Sequence, residues 1–224
     1  MALSVTLLGA TGLIGRECVR LLLSDPRFDR VVTIGRRALP DEILEGVDRA
    51  RLTERVADLA RLEESADALA TDRVICALGT TMKAAGSRDA FRKVDHDLPL
   101  EAARVALARG AAHFLIVTAL GANTGSRVFY NRVKGEVEQA LLALPFRATT
   151  IVRPSLLVGD RSERRPGEVV GRYLGVLIPG RYRPVRARDV ATVLVEQAAS
   201  DRAGALIIES EQIRTAARVA RAGH

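Results

Sequence analysis

Short apolar runs rich in β-branched residues alternate along the chain with longer segments whose apolar residues recur every three or four positions. The short runs predict strands over residues 3–8, 31–35, 52–56, 73–78, 113–118, 148–152 and 205–208. The longer segments predict amphipathic helices over residues 13–24, 59–69, 88–109, 128–143 and 189–199. Because nearly continuous apolar strands alternate with helices, the pattern predicts an α/β protein with a doubly wound parallel sheet covered on both faces.

The alternation breaks between residues 153 and 188, where prolines and glycines interrupt the apolar pattern. An irregular excursion late in a doubly wound chain is where a cap over the substrate is expected. The 224 residues are enough for one well-buried domain and too few for two of ordinary size. We therefore expect a single domain over residues 1–224, in which 153–188 form a small irregular C-terminal cap.

The first predicted strand runs directly into a turn with three glycines, Gly9, Gly12 and Gly15, each separated from the next by two residues. Gly9 permits a tight turn, Gly12 lets the backbone approach a pyrophosphate, and Gly15 lets the following helix lie close to the sheet. An ordinary glycine-rich turn is the alternative. Directly after a strand, the spacing predicts a Rossmann-type dinucleotide site formed by Gly9, Ala10, Thr11, Gly12, Leu13, Ile14 and Gly15.

The second predicted strand ends in Ile34-Gly35-Arg36-Arg37. NAD-selective folds carry an acid at this place to bind the ribose hydroxyls, whereas two guanidinium groups suit a 2′-phosphate. The sequence therefore favours NADP over NAD, the alternative being that Arg36 and Arg37 are exposed loop residues only. Asp58 follows the third strand, where it either accepts a hydrogen bond from the adenine amino group or caps the next helix.

Tyr130 and Lys134 lie four residues apart on a predicted helix and hence on one face of it. There the ammonium is expected to lower the pKa of the phenol and to hold the nicotinamide ribose. Thr118 ends the fifth strand at the carboxyl edge of the sheet, where ligands bind in open α/β folds. A hydroxyl that holds a carbonyl and a phenol that exchanges its proton suit hydride transfer to a ketone or aldehyde.

Arg153 directly follows the sixth predicted strand at the same edge of the sheet. It is the best candidate for binding an anionic group of a substrate. The alternative is that it pairs with a buried acid and only holds the cap in place.

The net charge of +7 and the sequence pI of about 10.2 raise the question of a nucleic-acid partner. Only Lys83, Lys93 and Lys134 are lysines, and the arginines are scattered among acidic residues without interleaved aromatics, which argues against nucleic acid. No run of 18 apolar residues exists and no basic segment precedes the apolar N-terminus, so we expect no membrane association and a cytoplasmic protein. Cys18 and Cys76 lack metal-ligand spacing, so we expect buried free thiols and no metal.

Together these motifs resemble the short-chain dehydrogenase/reductase superfamily, and more closely its atypical branch, which includes Tat-interacting proteins and bacterial proteins described as NAD(P)-binding or epimerase-like. The similar stretches cover nearly the whole chain: 9–15, 76–81, 85–87, 94–95, 120–122, 130–138, 151–155 and 189–191. The resemblance implies that Tyr130 is the catalytic acid/base, that Lys134 is its partner and that Thr118 stands at the usual serine. It also implies that Leu78, Gly79 and Thr80 flank the nicotinamide half of the cofactor, and it adds Ser155 to Arg153 as a substrate candidate.

Two departures from the family pattern concern the site. The Asn-Asn-Ala-Gly usual after the fourth strand is Cys76-Ala77-Leu78-Gly79 here, and Asp95 lies where extended members often have Asn. Several members of the branch bind cofactor without an established substrate. We expect an NADP(H)-dependent oxidoreductase or epimerase-like enzyme that acts on a small carbonyl or hydroxyl substrate, an anionic one if Arg153 binds it. The alternative is a non-catalytic NADP(H)-binding regulatory or scaffold protein that acts through protein partners, and a homodimer is compatible with either.

Overall fold

The computed structural model describes residues 2–158 and 180–222. Its strands are β1 (Leu3–Leu8), β2 (Phe28–Gly35), β3 (Leu52–Val56), β4 (Arg73–Cys76), β5 (His113–Val117), β6 (Ala148–Arg153), β7 (Leu157–Val158), β8 (Val185–Arg186) and β9 (Gly204–Glu209). Seven of these described strands form one parallel sheet in the order β3-β2-β1-β4-β5-β6-β9, and β7 pairs with β8 separately. The chain winds outward from β1 in both directions, which confirms the doubly wound parallel sheet.

The described helices are α1 (Leu13–Ser24), α2 (Asp41–Leu44), α3 (Met82–Ala85), α4 (Arg88–Arg92), α5 (Leu98–Ala108), α6 (Phe129–Leu142), α7 (Ala187–Ala199) and α8 (Ser210–Ala222). Leu59–Leu69 and Gly180–Tyr182 are 3₁₀ segments, and Lys93–Asp97 is a π turn between α4 and α5. Among these described helices, none has the length and apolarity of a membrane-spanning segment.

Successive residues of the central strands belong alternately to two separate hydrophobic cores, as the period of two in a strand requires. Leu7 belongs to a core formed with α1 and α7, whereas its neighbour Leu8 belongs to a core formed with the 59–69 segment, α5 and α6. Cys18 lies in the first core and Cys76 in the second, and both are free thiols. The helices thus cover both faces of the sheet and leave the carboxyl ends of the strands accessible to a ligand.

The segment predicted as one helix over 88–109 is instead two helices joined by a π turn. Pro99 stands in the first turn of α5 and has no N–H to donate to the Asp95 carbonyl, so an α-helical bond cannot form there. The backbone widens, and the Leu98 N–H donates to the carbonyl of Lys93 five residues back. The turn leaves Asp95 buried on the inner side of the helix pair.

Two further differences concern the end of the chain. The α8 helix was not predicted, because only Ile213 and Ala217 of its described apolar side chains are buried, a pattern too sparse to detect in an arginine-rich segment. Residues 159–179 of the predicted cap lie outside the described residues. Its described ends form β7, the 3₁₀ turn and β8.

Candidate active site

A cavity of about 560 Å³ opens at the carboxyl ends of β1, β2 and β4, beside the point where the strand order reverses. Open α/β sheets bind their ligands at such a point. Most of the predicted cofactor residues line the cavity together: Gly9, Ala10, Thr11, Gly12, Arg36, Arg37, Asp58, Leu78, Gly79 and Thr80. Its shape and its contributing loops fit an extended dinucleotide.

Each of the three glycines in the first turn occupies its position for a different structural reason. Gly9 has a φ of +83°, and a Cβ there would lie 2.6 Å from the Ala77 carbonyl oxygen. A Cβ on Gly15 would lie 2.1 Å from the Gly9 carbonyl oxygen, so the start of α1 rests directly on the turn. Gly12 is exposed and lines the cavity, and a Cβ there would approach only the Gly9 oxygen, at 3.3 Å. Of the three glycines, Gly12 is the one whose missing side chain leaves room for a ligand in the cavity.

The remaining residues of the predicted glycine-turn site face the protein interior rather than the cavity. Ile14 packs into the core with Leu7 and Val19, and Leu13 packs against the edge of the same core. These two side chains pack α1 against the sheet. This packing holds the first turn of the helix in the position from which its N–H groups can face a pyrophosphate.

Arg36 and Arg37 are exposed and both line the cavity at the end of β2. Neither takes part in an ion pair among the described residues, so both guanidinium groups are free for an anion. Asp58 also lines the cavity, and its carboxylate accepts a hydrogen bond of 2.9 Å from the Ala60 N–H. The helix-capping interpretation of Asp58 is therefore confirmed, while its contact with adenine stays a prediction.

Tyr130 and Lys134 lie one turn apart at the start of α6, as the spacing predicted. The Tyr130 ring packs 5.3 Å from the ring of Phe91, centroid to centroid. The Lys134 side chain is only 5% exposed, and its Nζ lies 2.8 Å from Oδ1 of Asp95, which is 1% exposed. The second oxygen of Asp95 accepts a 2.9 Å hydrogen bond from the Thr80 N–H of the cavity lining.

The expected lowering of the phenol pKa does not occur. Burial raises the pKa of Tyr130 above its ordinary value of 10, and the Asp95 carboxylate raises it further, whereas Lys134 lowers it by less than burial raises it. The sequence argument counted the ammonium alone and could not see the carboxylate paired with it. Tyr130 is therefore protonated at neutral pH.

Thr118 follows β5 and is buried, and its hydroxyl donates a 2.5 Å hydrogen bond to Oε1 of Glu138. A hydroxyl that donates its one hydrogen bond to a carboxylate can only accept hydrogen bonds from another partner. The predicted hydrogen bond from Thr118 to a substrate carbonyl would require this contact to break.

Arg153, at the end of β6, bridges a carboxylate on α6 and a carboxylate at the end of β9. Its Nε and Nη2 donate to Glu138 at 3.0 and 2.5 Å, and its Nη1 donates to Glu209 at 2.8 Å. The pairing with a buried acid that the sequence left open is thus present, and a contact with a substrate anion stays a prediction. Ser155 donates to the Arg183 carbonyl at 2.6 Å and accepts from Ser210, so it ties β6 to the segment before β8.

Sequence reasoning missed two carboxylates of this site. Tyr130, Lys134 and Glu138 follow one another at intervals of four residues on α6. The spacing that pointed to Tyr130 and Lys134 therefore also placed Glu138 on the same face of the helix. Asp95 was recognised as a departure from the family's Asn. Its pairing with Lys134 depends on the π turn, for which no periodicity gives a signal.

The chain is similar to known proteins over most of its length. The model of a family described as NAD(P)H-binding matches residues 9–201. Protein HTATIP2 of Rattus norvegicus is 36% identical over 192 residues, which cover 85% of this chain and 78% of that protein. Protein FMP52, mitochondrial, of Eremothecium gossypii is 33% identical over 220 residues, which cover 94% of this chain and 96% of that protein.

Solved structures share the fold at low identity. Bordetella bronchiseptica WbmG in complex with NAD superposes with a TM-score of 0.69 at 14% identity, covering all of this chain and 78% of that one. MoeE5 in complex with UDP-glucose and NAD superposes with a TM-score of 0.70 at 18% identity, covering 96% of this chain and 81% of that one. Both likenesses are evidence for a Rossmann fold and not for a shared substrate.

The comparisons overturn the predicted cytoplasmic location. Several fungal relatives, including one of Emericella nidulans that is 37% identical over 76% of this chain and 73% of that protein, are named mitochondrial. The composition of the first strand was therefore the wrong basis for assigning a compartment. The family match over residues 9–201 and the extent of the relatives agree with the sequence motifs, and the chain, which has a Rossmann fold, belongs to the NAD(P)H-binding family.

Proposed function

We propose that this protein is an NADP(H)-dependent reductase of a small carbonyl substrate in which Tyr130 donates the proton. The observation that carries the proposal is the position of Tyr130 and Lys134 on α6, linked through Asp95 to the loop that lines the cofactor cavity. Tyr130 itself does not line the cavity, so the proposal places the proton donor beside Leu78, Gly79 and Thr80, where the nicotinamide half would lie, through this link alone.

The residues of the cavity fit a phosphorylated dinucleotide. The open space at Gly12 and the start of α1 would hold the pyrophosphate, and Arg36 and Arg37 would hold a 2′-phosphate. NADPH, when bound, supplies the hydride that reduces a carbonyl carbon. Charge-assisted hydrogen bonds to the 2′-phosphate favour NADPH over NADH by about 1.5–3 kcal/mol, a preference of roughly tenfold to a hundredfold.

Tyr130 supplies the proton that the reduced carbonyl oxygen needs. Because the raised pKa keeps the phenol protonated at neutral pH, the chain has a donor ready for reduction, whereas oxidation of an alcohol would need the rarer phenolate. The phenolate left after transfer is reprotonated by water. The Thr118 hydroxyl already donates its hydrogen bond to Glu138, so Tyr130 is the main donor to the substrate oxygen.

Two substitutions test the proposal. Tyr130→Phe removes one oxygen, so NADPH affinity should be retained while kcat for an aldehyde or ketone falls by roughly 10²-fold or more. Turnover at the parental rate would rule out the proton-donor role.

Arg36→Asp should abolish the preference for NADPH in fluorescence titrations, whereas Arg104→Asp, on the exposed side of α5, should retain it. Equal affinities for NADPH and NADH in the parent protein would contradict the assignment of NADP.

The contact between Thr118 and Glu138 also favours a second candidate, a cofactor-binding regulatory protein without turnover. Both polar groups that would hold a substrate, Thr118 and Arg153, are bound to carboxylates of the protein itself. If NADPH binds tightly and no compound in a broad panel of aldehydes and ketones oxidises it, this second function is the correct one.

A further inference from the structure

One carboxylate joins helix α6 to the lining of the cofactor cavity. Oδ1 of Asp95 lies 2.8 Å from Lys134 Nζ, and Oδ2 accepts the Thr80 N–H at 2.9 Å. Gly79 lies against the same side chain, since a Cβ on Gly79 would stand 3.5 Å from Oδ1. The position of the Lys134 ammonium is therefore set by a group that also touches the predicted nicotinamide end of the cavity.

The carboxylate is buried together with the charge it compensates. The side chains of Asp95 and Lys134 are 1% and 5% exposed, and a buried charge without a partner is strongly unfavourable. The Cys76 thiol on β4 interacts with both charges and stays neutral, because burial raises its pKa to about 12. Among the described residues, Lys134 and Asp95 are the two charges that shift the pKa of Tyr130, and they act in opposite directions.

An amide at this position could hold the Thr80 N–H but could not neutralise the ammonium. The sequence has Asp where extended members of the superfamily often have Asn, and Pro99 together with the π turn fixes this Asp in place. We propose that Asp95 is a positioning residue for the reaction at Tyr130: its carboxylate holds the Lys134 ammonium beside the loop that lines the cavity and opposes the charge that would otherwise act on the phenol. The proposal rests on the proposed function of Tyr130 as a proton donor.

The proposal agrees with the direction in which each neighbour shifts the pKa of Tyr130. Burial raises this pKa most, Lys134 lowers it and Asp95 raises it. With Asp95 in place, the protein retains a protonated donor. With an amide there, the charge of Lys134 would act on the phenol unopposed and would lower its pKa.

The test is a titration of tyrosinate absorbance at 295 nm in the protein without cofactor. The chain has three tyrosines and no tryptophan, so the difference between each variant and its Tyr130→Phe counterpart isolates Tyr130. Asp95→Asn should lower the midpoint of this transition by about one pH unit. Asp97→Asn is the matched control, because Asp97 lies in the same π turn with a 55% exposed side chain, and it should leave the midpoint in place. A midpoint in Asp95→Asn equal to that of the parent overturns the proposal.

A second pair of variants covers the case in which Asp95→Asn does not fold, as judged by circular dichroism at each pH. Lys134→Met removes the ammonium, and the double variant Asp95→Asn, Lys134→Met removes both charges and leaves no buried ion. The Tyr130 midpoint should be lower in the double variant than in Lys134→Met alone, and equal midpoints refute the role of Asp95. The titration needs no substrate, so an absence of turnover, which would refute the proposed function, leaves this result intact.

Discussion

At the scale of single residues, the glycine turn shows that one motif contains positions with different physical duties. Gly15 is required by the protein itself, because the Gly9 carbonyl occupies the place of a side chain. Gly12 borders open space in the cavity and has an ordinary extended conformation, with φ of −75°. The spacing of the glycines identified the turn, but only the contacts separate its structural positions from its ligand-facing position.

This difference predicts opposite outcomes for two neighbouring substitutions. Gly12→Val should leave the midpoint of thermal unfolding nearly unchanged and abolish NADPH binding, because the valine fills the pyrophosphate's space. Gly15→Ala should cost several kcal/mol of unfolding free energy, because its Cβ meets backbone at 2.1 Å. Thermal unfolding and fluorescence titration of both variants give the comparison. A stable Gly12→Val protein with parental affinity for NADPH would show that the cofactor does not lie against this turn.

At the scale of elements, Arg153 shows how β6, α6 and β9 are held in register at their carboxyl ends. It contacts Glu138, whose side chain is 4% exposed, and Glu209, whose side chain is 43% exposed. Because the two carboxylates share one guanidinium, the stability that a buried ion pair contributes can be compared with that of an exposed one in the same protein. The buried one also accepts the Thr118 hydroxyl, which joins β5 to the same cluster.

We expect Glu138→Gln to lower the free energy of unfolding by about 3 kcal/mol, because it leaves a partly buried guanidinium short of charge. Glu209→Gln should cost less than about 1 kcal/mol, since solvent screens the exposed pair. Urea denaturation of the two variants measures both quantities. Equal losses would mean that burial does not decide the strength of these contacts.

Much of the fold could be predicted from the pattern of the elements, and the exceptions have identifiable causes. β1 and α1 have the predicted bounds, and α6 differs by one residue at each end, because each has a clear apolar period and a distinct terminus. The interruption at Lys93–Asp97 escaped prediction because it depends on one missing N–H at Pro99. The site was predictable where local spacing defines it, as for Tyr130 and Lys134. It was not predictable where distant segments meet, as at Asp95 and Lys134 or Arg153 and Glu209.

At the scale of the whole molecule, a buried histidine between two strands makes stability depend on pH. His113 on β5 shares a 2.9 Å hydrogen bond between Nε2 and the Thr150 hydroxyl of β6. Its Nδ1 is buried with no hydrogen-bond partner among the described residues. Burial, with smaller contributions from Arg73 and Arg202, lowers the pKa of His113 to about 4 from its ordinary 6.5.

The unfolded chain therefore binds a proton at this histidine between pH 6.5 and 4 that the folded chain does not bind. The contribution of His113 to stability is complete above pH 6.5 and is lost as the pH falls through this window, by roughly 3 kcal/mol in total. Urea unfolding from pH 7 to pH 4 should show the loss, and His113→Gln should reduce the slope while keeping a partner for Thr150. An unchanged slope in that variant would assign the acid sensitivity to carboxylates instead.

The order of the strands has a consequence for how the chain reaches its folded state. β1 pairs with β4, which follows it in the chain only after β2, α2 and β3, and α1 packs against α7, which is synthesised much later than α1. Such contacts between distant segments must close long loops, which makes folding slow. During synthesis on the ribosome, the inner face of α1 stays uncovered by α7 until that helix emerges, and we expect this exposed apolar surface to make the nascent chain prone to aggregation.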